Sequence, residues 1–223
     1  IVFIDEIDAV GRTARVQAGV VNAELTRRTA PHDLFYAPDP SSQAACTLGG
    51  NVANNSGGPH CLAYGVTDAH VLAIEVVLPN GEAVMLGGLD PEPAGYDLRG
   101  AFVGSEGTLG IATRIAVRLT KNPPAVRTLL LSFAETRDAA QTVSDIIAAG
   151  IVPAALEVMD QRMTMIQKKK VMVETKVPAQ IKIGKITLLV MMMMMMTTTM
   201  TTMTIRMKHR CTVIVKIQKL LRR

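Results

Sequence analysis

Apolar and polar positions change rhythm several times along this chain, and each change marks an expected element. An apolar run at 1–4 and an alternating run at 14–19 predict two strands joined near Gly11. Residues 22–29 carry a helical pattern, with Asn22 as the expected N-cap and Pro31 closing the helix. Val, Ile and Leu dominate 71–78, which predicts a buried strand. Pro79, Asn80, Gly81 and Glu82 then turn the chain back into 83–86, since both positions of an Asn-Gly turn tolerate positive φ. Residues 111–119 alternate apolar side chains with Thr and Arg, as a strand with one wet face does. Lys121, Asn122, Pro123 and Pro124 form the best internal boundary, because consecutive prolines end pairing. Beyond it, 128–133 predicts a strand, 136–149 a helix capped by Thr136 and stopped by Gly150, and 155–158 another strand. This β-α-β start of a second unit is expected to be cut short, with nothing after Asp160 completing it.

Composition changes that picture in one respect. Up to Asp160 there are ten Lys and Arg against eighteen Asp and Glu, a net of −8, whereas the remaining 63 residues carry fourteen against one, a net of +13. The pI of about 9.3 therefore belongs to the tail. A basic balance ordinarily suggests nucleic acid or an anionic surface as partner. That inference fails for the acidic body, so no nucleic-acid partner is expected. The tail, 161–223, also holds 12 of the 14 methionines, six of them consecutive (Met191 to Met196), and one glycine, Gly184. Such bias has no defensible helix or strand period and reads as a divergent low-complexity segment, disordered or artefactual. Cys46, Cys61 and Cys211 form no CxxC pair, and without a secretory signal a reduced, cytoplasmic setting is expected. No run reaches the roughly 18 apolar residues of a membrane span.

The chemistry concentrates in two glycine-rich stretches. The first is YAPDPSSQAACTLGGNVANNSGG, residues 36–58. Adjacent glycines let backbone amides approach a ligand, and Ser, Thr and Asn add short donors. By itself this predicts an anion or cofactor loop or, more commonly, plain turns. The second is GSEGTLGI, residues 104–111, whose glycines fall as GxxGxxG before a strand. The dinucleotide fingerprint opens a helix instead, so a nicotinamide site of that kind is disfavoured.

Both stretches in this order, with HCLAYG at 60–65 and an apolar hairpin between them, resemble FAD-linked oxidases of the vanillyl-alcohol oxidase superfamily, nearest the glycolate oxidase and D-lactate dehydrogenase type. The resemblance runs from about Glu6 to Asp160. It implies an α+β fold: residues 1–122 as the second subdomain of a PCMH-type FAD-binding domain, with a mixed, largely antiparallel sheet flanked by helices, lacking the N-terminal subdomain. Residues 123–160 would begin an α+β cap domain. The cofactor implied is FAD. Pro38, Asp39, Pro40, Ser41 and Ser42 would flank it near the ring and ribityl chain. Thr47, Gly49, Gly50, Asn51, Ala53 and Asn54 would supply amides and short side chains along it, and Gly104, Ser105, Glu106, Gly107, Gly110 and Ile111 would close the other side.

The reaction implied is oxidation of a small 2-hydroxy acid such as glycolate or D-lactate to the 2-oxo acid. Electrons would leave through partner subunits, an iron-sulfur subunit among them, or through a quinone. Attachment to the inner membrane would be peripheral, through those partners. No catalytic residue and no metal ligand is assigned, since the chain reads as a fragment without the rest of the cap. The rival reading is a non-enzymatic fragment that binds FAD weakly or not at all. His60 reads as a hydrogen-bonded loop histidine rather than a flavin attachment point, and His70 as a core or edge residue. IVFIDEIDAVGR, at 1–12, resembles an ATPase Walker B segment, but no GxxxxGK[ST] accompanies it, so an ATPase reading is disfavoured.

Overall fold

The computed structural model describes residues 3–88, 95–160 and 211–218. The chain divides into two units, Ile1–Asn122 and Pro123–Arg223, where Pro123 and Pro124 remove two backbone donors in succession.

The first unit is built on a five-stranded sheet. Its strands are β1 (Ile4–Asp8), β2 (Thr13–Gln17), β4 (Val71–Val77), β5 (Ala83–Gly87) and β6 (Ile111–Arg118), ordered β1-β2-β6-β4-β5. The class is α+β as expected, and every pairing in this sheet is antiparallel rather than mixed. Four α-helices lie in its connections among the described residues: α1 (Asn22–Thr29), α2 (Leu48–Asn54), α3 (Cys61–Tyr64) and α4 (Leu98–Phe102). A two-residue strand, β3 (Leu34–Phe35), pairs apart from the sheet with β7 (Thr120–Lys121).

Register shows why the sheet is two-faced. Val16, Ile115 and Ile74 stand side by side across β2, β6 and β4, as do Ala14, Val117 and Val71. All six are buried, and Leu25 of α1 with Leu48 and Val52 of α2 completes the core over them. Each buried aliphatic side chain contributes roughly 1.5–3 kcal/mol relative to exposure. The next row along, Gln17, Arg114 and Glu75, belongs to the opposite face. There Arg114 pairs with Glu75 at 3.4 Å and Asp5 at 3.8 Å, and Arg15 pairs with Glu6 at 3.7 Å. Asp5 and Glu6, the acidic pair of the Walker-like segment, thus sit in a surface hairpin.

One local expectation is corrected, and two further features come from the structure. Asn22 is not the N-cap of α1, a place taken by Val21; its side chain is buried and its Nδ2 donates to the Pro38 carbonyl at 3.0 Å. A cap is unnecessary, because the Gln43 and Cys46 carbonyls accept from the Ala23 and Asn22 amides at 3.0 Å each. In the 78–82 turn Gly81 alone of the Asn-Gly pair takes positive φ, 85°, while the Asn80 side chain accepts from the Glu82 amide. Helix α4 has no apolar period to announce it. It starts because Asp97 accepts from the Gly100 amide at 2.9 Å, and that amide, followed by Arg99, holds the Asp97 carboxyl below the usual range.

The second unit contains β8 (Val126–Phe133), α5 (Thr136–Ala148), β9 (Ala155–Asp160) and β10 (Cys211–Gln218). Leu129, Leu131, Phe133 and Leu156 pack against Ala139, Val143 and Ile146 of α5. Glu135, not Thr136, occupies the N-cap position and makes no side-chain cap bond; Gly150 stops the helix region at φ 74°. Strand β10 lies between β8 and β9, antiparallel to both, so β8 and β9 run the same way as a β-α-β unit requires. For these eight residues the expectation of an unstructured tail is overturned. Val213, Ile214, Val215 and Ile217 are β-branched, a local signal that the methionine and lysine bias of the whole tail conceals. The methionine run and the rest of 161–210, with 219–223, lie outside the described residues.

Candidate functional site

The first glycine-rich stretch is strapped to the corner between β2 and α1. Besides the two bonds to Gln43 and Cys46, Val21 forms an isolated antiparallel bridge with Thr47. The Leu48 and Gly49 amides donate to Val20 and Ala18 at 2.8 and 2.7 Å. Gly49 must be glycine for packing, since a Cβ there would lie 2.8 Å from the Ala18 Cβ. Thr47 caps α2 by accepting from the Gly50 amide at 3.2 Å, and Asn51 donates its amide to the Thr47 carbonyl. The amides of Gly49, Gly50 and Asn51 are therefore engaged within the protein. What this segment turns outward is the bare surface of Gly50 and the side chain of Asn54, which donates to the Gly50 carbonyl at 3.0 Å.

The second stretch docks on the far end of the same helix. Gly104 donates to the Val52 carbonyl at 2.8 Å and Glu106 donates to the Ala53 carbonyl at 2.9 Å, which occupies two C-terminal acceptors of α2. Gly104, Glu106 and Gly107 have φ of 86°, 54° and 76°, so the loop is a left-handed knot in which glycine is favoured. Around Gly107 a Cβ would meet nothing within 4 Å. Gly110 fits closely against β4, where a Cβ would lie 2.7 Å from Val76, and Ile111 stands exposed at the start of β6.

The 38–42 segment approaches through a third contact. Asp39 Oδ2 lies 2.6 Å from His60 Nδ1, and Gly58 packs so closely on the Asp39 carbonyl that any Cβ would overlap it. The Gly58 amide donates to the Cys61 Sγ at 2.9 Å. Pro38 and Pro40 are buried, whereas Ser41 and Ser42 are exposed. His60 is thus a contact that the sequence motifs left outside the candidate set. Its advance signals were its place two residues after the double glycine and at the head of HCLAYG, which suited the hydrogen-bonded loop histidine expected there.

His70 is buried, and its Nε2 lies 2.8 Å from the Tyr64 carbonyl. A carbonyl only accepts, so Nε2 carries the proton and Nδ1, which has no partner, is the bare nitrogen. Burial pushes this imidazole below its ordinary value of about 6.5. An unfolded chain takes up a proton near that value that the folded chain resists, so stability is full above it and falls as pH drops through it. The urea midpoint should accordingly decline from about pH 7.5 to about pH 5.5. His70→Gln, which can still donate to Tyr64, should flatten the decline; equal pH slopes in the two proteins would contradict it.

These residues suit a flavin dinucleotide in kind. Gly107 offers backbone without a side chain over open space, and Gly50 offers an exposed backbone beside the Thr47 hydroxyl. Asp39 Oδ1, Asn51 Nδ2 and Ser105 Oγ are polar atoms closed from solvent without a hydrogen-bond partner. Asp39 and Glu106 are acidic and neither stretch holds a Lys or Arg, so phosphate oxygens would be met by amides and hydroxyls rather than cations. An open depression of about 430 Å³ on the other face, lined by Gln17, Ala18, Gly19, Glu75, Ala112, Thr113 and Arg114, includes none of the candidate residues. The candidate site is a surface of loops rather than a closed pocket. Among the described residues no group of three His, Cys, Asp or Glu could hold a metal ion, and no helix is long and apolar enough to cross a membrane.

Comparison with known proteins places these features in context. Residues 3–87 match the model of the FAD binding domain, and residues 122–200 that of the C-terminal domain of FAD linked oxidases. The glycolate oxidase subunit GlcD of Escherichia coli K12 is 52% identical over 155 residues, 70% of this chain and 31% of that protein. GlcD of Bacillus subtilis is 52% identical over 157 residues, 70% of this chain and 33% of its own length. D-lactate dehydrogenase of Anaerostipes hadrus is 37% identical over 156 residues, again 70% of this chain and 33% of its own length. The chain thus spans about a third of the length of these relatives. An alkyldihydroxyacetonephosphate synthase structure aligns with a TM-score of 0.71 at 23% identity, covering 97% of this chain and 36% of that one. At that identity the likeness speaks for the fold.

Proposed function

Since the chain belongs to the FAD-linked oxidases, matching both their FAD binding domain and their C-terminal domain, we propose that it is the flavin-holding part of an enzyme that oxidises a small 2-hydroxy acid such as glycolate or D-lactate. The observation that carries the reading is the pair of bonds from Gly104 and Glu106 to the end of α2, which joins the two glycine-rich stretches into one surface poor in side chains. FAD supplies the acceptor for the hydride leaving the substrate carbon. The chain's own part is to orient that cofactor. Pro38, Asp39, Pro40, Ser41 and Ser42 lie toward the ring and ribityl chain, with Asp39 steadied by His60. Thr47, Gly49, Gly50, Asn51, Ala53 and Asn54 run alongside, Gly49 and Thr47 acting through the shape of α2. Gly104, Ser105, Glu106, Gly107, Gly110 and Ile111 close the opposite side. Electrons pass to partner subunits, including an iron-sulfur subunit, through which a cytoplasmic enzyme reaches the inner membrane.

A graft tests this directly. Residues 3–160 replacing the matching segment of the E. coli GlcD subunit should give a yellow protein that reduces a dye with glycolate or D-lactate. A soluble, folded but colourless graft would reject the assignment.

A further inference from the structure

Arg99 belongs to neither glycine-rich stretch, yet its side chain is only 18% exposed and both of its Nη atoms are hydrogen-bonded. Nη1 donates to the Asp68 carbonyl at 2.8 Å, to Asp68 Oδ1 at 2.9 Å and to the Val71 carbonyl at 2.9 Å. Nη2 donates to Asp97 Oδ2 at 2.8 Å. Two Nη1 protons thus serve three acceptors, so at least one is shared. A guanidinium taken so far out of water needs such partners, because desolvation of an incompletely bonded charge outweighs what it gains.

The acceptors lead to the first stretch. Asp68 donates its own amide to the Asn55 side chain at 2.9 Å, and Asn55 is the left-handed residue, φ 48°, that ends α2. Beside it Thr67 Oγ1 donates to the Ser56 carbonyl at 2.7 Å. In the other direction α4 leads straight into the second stretch, where the Val103 amide donates to the Arg99 carbonyl at 3.0 Å and Gly104 follows. Gly104 and Glu106 then bond back to Val52 and Ala53 of α2. The circuit closes: Arg99, Asp68, Asn55, α2, Gly104, Val103, Arg99. Gly87 makes room for it, since at φ 74° a Cβ there would collide with the Leu72 carbonyl and lie 3.1 Å from the Arg99 Cδ.

We propose that Arg99 is a positioning residue for both glycine-rich loops, holding the 104–110 loop and the C-terminal end of α2 in one fixed relation. That this relation serves FAD rests on the function proposed above. The geometric part does not. The role demands the planar fork, because Nη1 and Nη2 grip acceptors on separate segments at once; a lysine ammonium on a flexible stem cannot span them in the same way.

Hydrogen exchange on the full chain, without cofactor, reads the circuit directly. Arg99→Gln should speed exchange of the Gly104 and Glu106 amides by about tenfold or more, while the β6 amides of Ile115 and Val117 stay within about twofold. Arg99→Lys should restore only part of the protection. Unchanged rates at Gly104 and Glu106, or equal acceleration in loop and sheet, would overturn the proposal, the second because it marks a general loss of stability. Should Arg99→Gln fail to fold, Asp68→Asn keeps the fold's backbone acceptor and is expected to give the same selective acceleration to a lesser degree; its absence counts equally against the role. In the GlcD graft, Arg99→Gln should also weaken FAD binding and shift the visible flavin bands. A colourless parent graft would count against the flavin assignment, and the exchange result would still decide the role of Arg99.

Discussion

Valine at position 107 should weaken FAD binding by about 10- to 100-fold while lowering the melting temperature of the fold by only a few degrees. Gly107 has φ 76°, and a Cβ there would meet nothing within 4 Å, so the branch point itself clashes with no protein atom. Its cost is conformational: a β-branched residue in the left-handed region carries of order 1–3 kcal/mol of strain. The free loop sheds that strain by moving to another conformation, and a ligand that needs the original one must restore it, losing affinity by the same amount. The added methyl groups also occupy space that the cofactor would fill. Gly50→Val fails by another route, for Gly50 is helical and its Cβ would come 3.3 Å from Thr47 Oγ1, disturbing the cap. Fluorescence titration of FAD into the graft, with circular dichroism for stability, separates the two effects. Unaltered FAD affinity in the Gly107→Val protein would contradict the placement of the loop against the cofactor.

Leu48→Ala should have the largest effect on stability, about 2–5 kcal/mol. Leu48 opens α2, is fully buried, and packs in the core that includes Val16 and Ile115. Its loss leaves a cavity under the helix that carries both stretches. In a unit of this size the melting temperature should drop by about 10 °C or more. Leu62→Ala, at a side chain 47% exposed, serves as the control and should change stability by less than about 0.5 kcal/mol. Equal losses in the two variants would show that α2 is not anchored as described.

Local pattern makes the central architecture legible in the chain alone. Strands β4 and β6 follow from runs of branched residues and alternation, α5 from its apolar stripe, and the break at Pro123 from the chemistry of proline. The two glycine-rich stretches are visible as motifs because glycine, Ser, Thr and Asn cluster there. Their family resemblance indicates FAD, and the family matches agree.

Sequence by itself therefore determined the period of each element and the residue chemistry available to the site. Tertiary structure alone decided which groups meet. Asn22 has the composition of a cap, but the Gln43 and Cys46 carbonyls reach α1 from a loop some twenty residues away, freeing its side chain for Pro38. His60 finds Asp39 across 21 residues, and Arg99 finds Asp68 across 31. Strand β10 takes its place because β8 and β9, running the same way, leave an antiparallel slot between them. The physical reason is common to all four. Helical and strand periods are written in neighbouring residues, whereas a buried hydrogen-bonding group is satisfied by whatever partner the folded backbone brings within about 3 Å, and sequence spacing carries no record of that partner.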